Sequence, residues 1–517
     1  MQIAALGVLL LLYVATVVHA LHPIVIKGNK LFDSVTKNQF FIKGVAYQPR
    51  DGHVVRKDNF IADPLADASA CARDASLMQK LGMNVVRVYE VDPSKDHDQC
   101  MKSFADAGIY LLLDIATPKF SINRKSPEYD TRLYEAYRKT VDAFSKYDNM
   151  LAFIAGNEVT NDKTNTQASA YVKAAIRDMK KYIKSTKKRY IPIGYASNDD
   201  EFIRDAIKDY FVCGEEDEQA DFFGVNMYEW CGDSSYEKSG YKDRTKEFES
   251  YHRPVFLSEY GCNLVTPREF SDVEVLYGSQ MTDVWSGGVV YEWTQENNNY
   301  GLVKIANGKA ELMQDYTNLQ KALAKASPKG VNMDAYNDQR QAPQCPEHTQ
   351  NWKAATTLPP TPSSGACSCM RDTLSCTASD QVSNTVTSGG GHSNSSVLGD
   401  QIDVLCGMVT CDDISGDGEK GHYGAFSFCS GTEKLSWLYN LYMEKNKGGR
   451  CEFNGNAEVT TPKRKDVKTC ADIQANVDST NDGSSGDSKS AAVSWLQPSS
   501  FISWGLLMTG VMVLTGR

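Results

Sequence analysis

Eight short apolar, β-branched runs, alternating with stretches of helical periodicity, limit the folds open to this chain more than any other feature. The runs lie at 40–48, 84–89, 110–115, 150–158, 191–196, 221–230, 254–262 and 288–296, and the helical stretches between them include 66–81, 130–147, 166–185 and 201–210. Runs that are apolar along their whole length suit strands buried on both faces, and helical crossovers join such strands in parallel. Eight such units predict an α/β fold, a closed (β/α)8 TIM barrel. The alternative, an open doubly wound sheet, calls for a Gly-rich phosphate loop after its first strand. Pro49, Arg50, Asp51 and Gly52 stand there instead.

Cysteine placement divides the chain. Cys71, Cys100, Cys213, Cys231, Cys262 and Cys345 are thinly spread, whereas Cys367, Cys369, Cys376, Cys406, Cys411, Cys429, Cys451 and Cys470 crowd together. A first domain, 21–345, is large enough to carry its own core. A second, 367–470, is a small disulfide-rich module that leans on covalent bridges. Its eight cysteines allow 105 pairings, and the sequence does not choose among them. Between the two, 346–366 contains Pro359, Pro360, Pro362, Ser363, Ser364 and Gly365 and has the composition of a linker.

Both ends read as processing signals. Residues 1–20 form an apolar run ending in Ala20, the pattern of a cleaved signal peptide. A Ser/Gly/Asp-rich tail, 471–490, precedes an apolar terminus, 491–517. Small residues, a spacer and an apolar tail together make the attachment pattern for a glycosylphosphatidylinositol (GPI) anchor, with Gly486, Ser488 and Ser490 as candidate sites. The expected location is the extracellular face of the plasma membrane, GPI-anchored. Disulfides persist there, and the sequon at Asn394 suits it. With 55 Lys and Arg against 65 Asp and Glu, the net charge is −10. Nucleic acid is not an expected partner, because phosphate neutralisation needs a basic face.

Barrel enzymes place their chemistry at the C-terminal ends of the strands. The fourth run ends in Asn157 and Glu158, the seventh in Ser258, Glu259 and Tyr260. Acids on strands four and seven face each other across the barrel mouth, and two opposed carboxylates are what glycosidic chemistry requires. One protonates the leaving oxygen; the other attacks the anomeric carbon or activates water. Glu158 is expected to be the protonated member, raised by burial or by its neighbour, and Glu259 the ionised one. Tyr89, Tyr228, Trp230, Tyr291, Trp293 and Tyr300 are candidates for contact with sugar.

These motifs resemble one family. Residues 44–49, 84–89, 156–158, 226–232, 257–262 and 290–301 occur in the order found in the fungal GPI-anchored β-1,3-glucanosyltransferases of glycoside hydrolase family 72. The resemblance implies a retaining mechanism, with Glu158 as acid/base and Glu259 as nucleophile. It implies that Gln48, Tyr89, Asp114, Asn157, Tyr228 and Tyr291 hold the donor and acceptor β-1,3-glucan chains. It also implies disulfides joining Cys71 to Cys100, Cys213 to Cys345 and Cys231 to Cys262. Arg50 and Asp51 depart from the family's usual Gly-Gly. Residues 421–429 and 434–440 resemble carbohydrate-binding module family 43, with Tyr423, Phe426, Phe428, Trp437 and Tyr439 as a dense aromatic set that serves equally well as the core of a small domain.

No cofactor and no metal are expected, and the protein is read as a monomer. The series from Asp413 to Gly418 matches half a calcium loop but places Gly424 where a bidentate Glu is needed. Two other readings of the same residues are a hydrolytic β-1,3-glucanase and a non-catalytic glucan-binding wall protein.

Overall fold

The structure, a computed structural model, describes residues 21–48, 63–187, 189–379, 382, 397–447 and 449–473. Eight strands close into a barrel: β1 (Ile42–Ala46), β2 (Val85–Val88), β3 (Tyr110–Asp114), β4 (Met150–Asn157), β5 (Ile193–Asn198), β6 (Phe223–Asn226), β7 (Val255–Tyr260) and β8 (Trp285–Val290). Every neighbouring pair is parallel, and β8 pairs with β1 to complete the ring. The helices α1 (Ala68–Leu81), α2 (Asp98–Asp106), α3 (Thr131–Phe144), α4 (Ala168–Thr186), α5 (Arg204–Tyr210), α6 (Tyr241–Glu247), α7 (Asp272–Leu276) and α8 (Gln314–Lys325) follow the strands in turn.

Strand periodicity sorts the core into two layers. Val86, Val88, Leu111, Leu113 and Phe153 point outward to the helices. Val85, Leu112, Ala152, Ile154 and Phe256 fill the barrel interior, and Ile24 and Leu31 join them there. Those two come from an N-terminal hairpin, Ile24–Lys27 with Lys30–Asp33, that the run pattern did not disclose. Asp67 and Asp130 start α1 and α3 by accepting main-chain N–H groups. The eighth strand begins earlier than expected, at Trp285, and ends at Val290. Gly287 and Gly288 interrupt its apolar run in the sequence, while residues 291–296, read as strand, already belong to the loop above the barrel.

The segment read as a linker is instead a strap bound to the barrel. Trp352 is 1% exposed and packs on Tyr210, ring centroids 5.2 Å apart. Tyr210 Oη donates to the Ala355 carbonyl at 2.5 Å, Arg177 donates to the Pro359 carbonyl at 2.8 Å, and Thr361 Oγ1 donates to Asp178 at 2.7 Å. Proline-rich composition reports an extended backbone, and an extended backbone suits a packed strap as well as a free tether.

The Cys-rich module contains α9 (Ser364–Arg371), α10 (Val397–Cys406) and α11 (Gly431–Lys445), with Cys376–Ala378 paired antiparallel to Ala457–Val459. A Ser430/Glu433 capping box starts α11. Cys367–Cys429, Cys369–Cys470, Cys376–Cys451 and Cys406–Cys411 are bonded. Phe426, Phe428 and Tyr439 are buried in the module's own core. Tyr423 packs edge-on against Tyr171 of α4, ring centroids 5.8 Å apart. Most of the module's aromatic set is therefore packing, at its core or against the barrel. Asn394 and the two terminal signals lie outside the described residues.

Removing the strap's anchor tests its part in the fold. We expect Trp352→Ala to cost about 3–5 kcal/mol, read as a lower urea midpoint for the barrel transition. A free tether would leave that midpoint unchanged.

Candidate active site

Period-2 alternation points Arg87 of β2 into the barrel, among apolar side chains. It is fully buried. A guanidinium there is tolerable only if its donors find acceptors. Nε and Nη2 donate to the two oxygens of Asp114 at 3.1 and 3.0 Å. Nη2 also donates to Asn157 Oδ1 at 3.0 Å. Nη1 donates to the Ser258 carbonyl at 3.0 Å and to Glu259 Oε1 at 3.3 Å. One side chain thus joins the upper ends of β2, β3, β4 and β7. Burial works against its charge, and Asp114 and Glu259 more than restore it. Burial likewise pushes the Asp114 carboxyl up, with Arg87 opposing.

Glu259 takes two further donors besides Arg87. Tyr89 Oη donates to its Oε1 at 2.9 Å, and Tyr228 Oη to its Oε2 at 2.8 Å. Both phenols are held protonated, chiefly by burial, with the Glu259 charge adding to it. They serve as donors only. Burial lifts the Glu259 carboxyl above the ordinary range; Arg87 and the two phenols pull it down, and the charge of Glu158 pushes it up again. Glu259 is the more enclosed of the two carboxyls. Glu259 is 8% exposed, while Glu158 is half-buried.

Glu158 stands at the end of β4 with φ +50°, in the left-handed region. That conformation costs a side-chain-bearing residue about 1–3 kcal/mol. Its N–H donates to the Ala196 carbonyl at 2.9 Å. Its Oε1 accepts from Asn226 Nδ2 at 2.7 Å. Asn226 is aimed by Ser258 Oγ, which donates to its Oδ1 at 2.7 Å. A register shift between β6 and β7 lies beside these residues, so that Ser258 reaches Asn226 and Glu259 reaches Arg87 although the two are consecutive. Gly224 is the small neighbour that permits it, since a Cβ there would lie 2.7 Å from Ser258 Oγ.

The structure brings Tyr89, Asp114, Asn157, Glu158, Tyr228 and Glu259 into this one network, and sets Tyr291 against Tyr228. Tyr228, Tyr291 and Tyr300 meet edge to face, ring centroids 5.3–6.4 Å apart. Buried Arg268 holds the loop that carries Tyr291 and Tyr300, donating to the Tyr291 carbonyl at 2.7 Å and the Tyr300 carbonyl at 2.5 Å. Gln48 lies two residues beyond the end of β1. Two expected sugar contacts fall away: Trp293 is fully buried and packs on Tyr316, and Trp230 is buried against Tyr241. Cys231–Cys262 ties the loop after β6 to the loop after β7; Cys71–Cys100 joins α1 to α2, and Cys213–Cys345 fixes the start of the strap.

Sequence reasoning gave no role to Arg87, Asn226 or Arg268. An arginine inside an otherwise apolar strand was the available signal, because such a charge must be paired. Among the described residues, the one group with metal-ligand spacing is Cys367, Cys429 and Glu433, where the two sulfurs are already joined as a disulfide.

Comparison with known proteins agrees with this geometry. Residues 13–327 match the family model for the glucanosyltransferases of glycoside hydrolase family 72. The chain belongs to that family. A second match, to the X8 domain, spans 374–458. Among this glucanosyltransferase-family chain's relatives, pH-responsive protein 1 of Candida albicans is 46% identical over 450 residues, covering 85% of this chain and 80% of its own length. The 1,3-beta-glucanosyltransferase GAS2 of Saccharomyces cerevisiae is 45% identical over 445 residues, covering 83% and 78%. A solved structure of a Glu-to-Gln mutant of S. cerevisiae Gas2p with laminaritetraose and laminaripentaose superposes with a TM-score of 0.78 at 41% identity, covering 88% of this chain and 98% of that one.

The Glu259 environment carries a pH signature. A carboxyl raised on folding binds its proton more tightly in the native state. Its contribution to stability is present below the unfolded carboxylate range and is lost as pH rises through the folded value. Glu259→Gln removes that loss, keeps an oxygen for Arg87 and Tyr89, and turns its amide N–H toward Tyr228 Oη, which can accept. We expect the variant to melt higher than the parent at neutral pH, with the gap closing as pH falls below the carboxylate range. A gap independent of pH would show that Glu259 ionisation does not burden the fold.

Proposed function

We propose that this family member is a retaining β-1,3-glucanosyltransferase that cleaves a glucan chain internally and passes the fragment to the non-reducing end of another. The observation that carries this reading is that two differently equipped carboxyls, at the ends of β4 and β7, share one hydrogen-bond network through Asn226, Ser258 and Arg87. Glu259 faces three donors that steady an anion, and Glu158 opposes it from β4, held by Asn226. The names of the relatives supply the glucan class.

In the first step a Glu259 oxygen attacks C1 of the donor sugar. The C1–O bond breaks, and Glu158 gives its proton to the departing oxygen. In the second, an acceptor hydroxyl attacks C1, the ester to Glu259 breaks, and Glu158 takes the hydroxyl proton. Arg87, Tyr89 and Tyr228 stabilise the carboxylate as it leaves. Gln48, Tyr89, Asp114, Asn157, Tyr228 and Tyr291 are assigned to hold donor and acceptor. Transfer demands that an acceptor sugar reach the ester before water, and the Tyr228, Tyr291 and Tyr300 cluster supports that by setting aromatic surface beside Glu259.

The seven disulfides among the described residues suit an oxidising compartment. Among the same residues no helix is long and apolar enough to cross a membrane. Export by the leader and GPI attachment at Gly486, Ser488 or Ser490 complete the proposal, with anchoring at the plasma membrane. The two folded parts are proposed to act as one body, 21–345 catalytic and 367–470 supporting.

Sizing the products from one purified laminari-oligosaccharide decides the activity. We expect chains longer than the substrate; shorter products alone would make the enzyme a hydrolase. Glu158→Gln and Glu259→Gln should each lower turnover by about 10²-fold or more. Unchanged turnover in both would mean that other residues carry the chemistry, and a parent protein that forms no product at all would be only a glucan-binding protein.

A further inference from the structure

The segment between β3 and α3 touches the reacting centre and the Cys-rich module together. Arg124 Nη2 donates to the main-chain oxygen of Glu158 at 2.6 Å. Asn123 Oδ1 accepts the N–H groups of Lys125 and Ser126 at 2.9 and 3.4 Å, tying the Arg124 turn to the residues after it. Glu128 then accepts from Lys434 Nζ at 2.9 Å, and the Thr131 N–H donates to the Phe428 carbonyl at 2.9 Å. Lys434 lies on α11 and Phe428 just before it, both in the module.

The two ends of this chain of contacts differ in kind. Lys434 is 6% exposed, and an ammonium so enclosed requires its counter-ion. Glu128 is the exposed partner, with its side chain 57% exposed. The buried end is therefore in the module. At the other end, Glu158 occupies a backbone conformation that persists only when its surroundings over-determine it. Its N–H and its carboxyl are held from inside the barrel, by Ala196 and Asn226. Its carbonyl is held by Arg124, from a segment that leans on another domain.

We propose that Arg124 is a positioning residue for the proton donor Glu158, and that the Cys-rich module serves the reaction by bracing the segment that carries Arg124. The module then contributes to bond cleavage without touching sugar. This rests on Glu158 being the acid/base.

The experiment compares two donors in the full-length protein, by first-turnover rates. A natural laminari-oligosaccharide needs its leaving oxygen protonated; a laminari-oligosaccharyl fluoride does not. We expect Arg124→Ala to slow cleavage of the oligosaccharide about 10- to 100-fold, in line with the cost of slight misplacement of a reacting group. Fluoride release and the KM for donor should stay within about twofold of the parent. Lys434→Met, which keeps the stem and removes the ammonium, should show the same split at smaller amplitude. Equal slowing of both donors by Arg124→Ala would reduce Arg124 to a structural role, and no slowing of either would dismiss it. An unaltered oligosaccharide rate in Lys434→Met would remove the brace. Glu158→Gln is the control: if it shows no split between donors, the acid/base assignment fails on its own, apart from anything Arg124 does.

Discussion

A single buried cation sets the geometry of this barrel mouth. Withdrawing a guanidinium from water costs several kcal/mol unless nearly every donor is matched. Arg87 meets that demand with acceptors from three other strands, Asp114, Asn157, and the Ser258 carbonyl with Glu259. None of those acceptors can shift without stranding a charge. The requirement to satisfy one arginine therefore fixes the relative heights of β2, β3, β4 and β7, and with them the separation of the groups that face sugar.

The same constraint explains why the site is costly to the fold. Glu259 is enclosed and its carboxyl is raised by burial, yet it is surrounded by donors suited to its ionised form. Glu158 holds a left-handed backbone that a glycine would adopt more cheaply. Each feature spends stability to keep a reactive group in one place, the usual exchange between stability and activity at functional sites. The surrounding barrel supplies the rigidity, and Cys231–Cys262 links the loop that carries Tyr228 to the loop just past Glu259.

The barrel was legible in the sequence because buried parallel strands are apolar throughout, and each of the eight runs overlaps one strand. The two carboxyls were legible because they close runs four and seven. What was hidden depends on three-dimensional pairing. Arg87 reads as one polar residue in an apolar strand, and only the closed barrel reveals that Asp114, Asn157 and Glu259 surround it. The enclosure of Glu259 over Glu158 depends on a register shift beside β7 and on Gly224, neither of which a linear pattern encodes. Trp230 and Trp293 looked like sugar platforms because aromatics at strand ends serve packing and stacking alike, and burial alone separates the two uses. The strap misled for a related reason: prolines signal extension, and Trp352 supplied the only hint that the extended chain is docked.

The central claim is that one particular carboxylate bonds to the sugar while another manages the proton. Covalent trapping with a laminari-oligosaccharyl donor carrying fluorine at C2 of the reacting sugar and a fluoride leaving group isolates the first of these roles, since it stalls the ester after it forms. Peptide mapping by mass should then place one glycosyl group on Glu259, and Glu259→Gln should accumulate none. A glycosyl ester on Glu158, Asp114 or any other side chain, or an equal yield from Glu259→Gln, would contradict the mechanism.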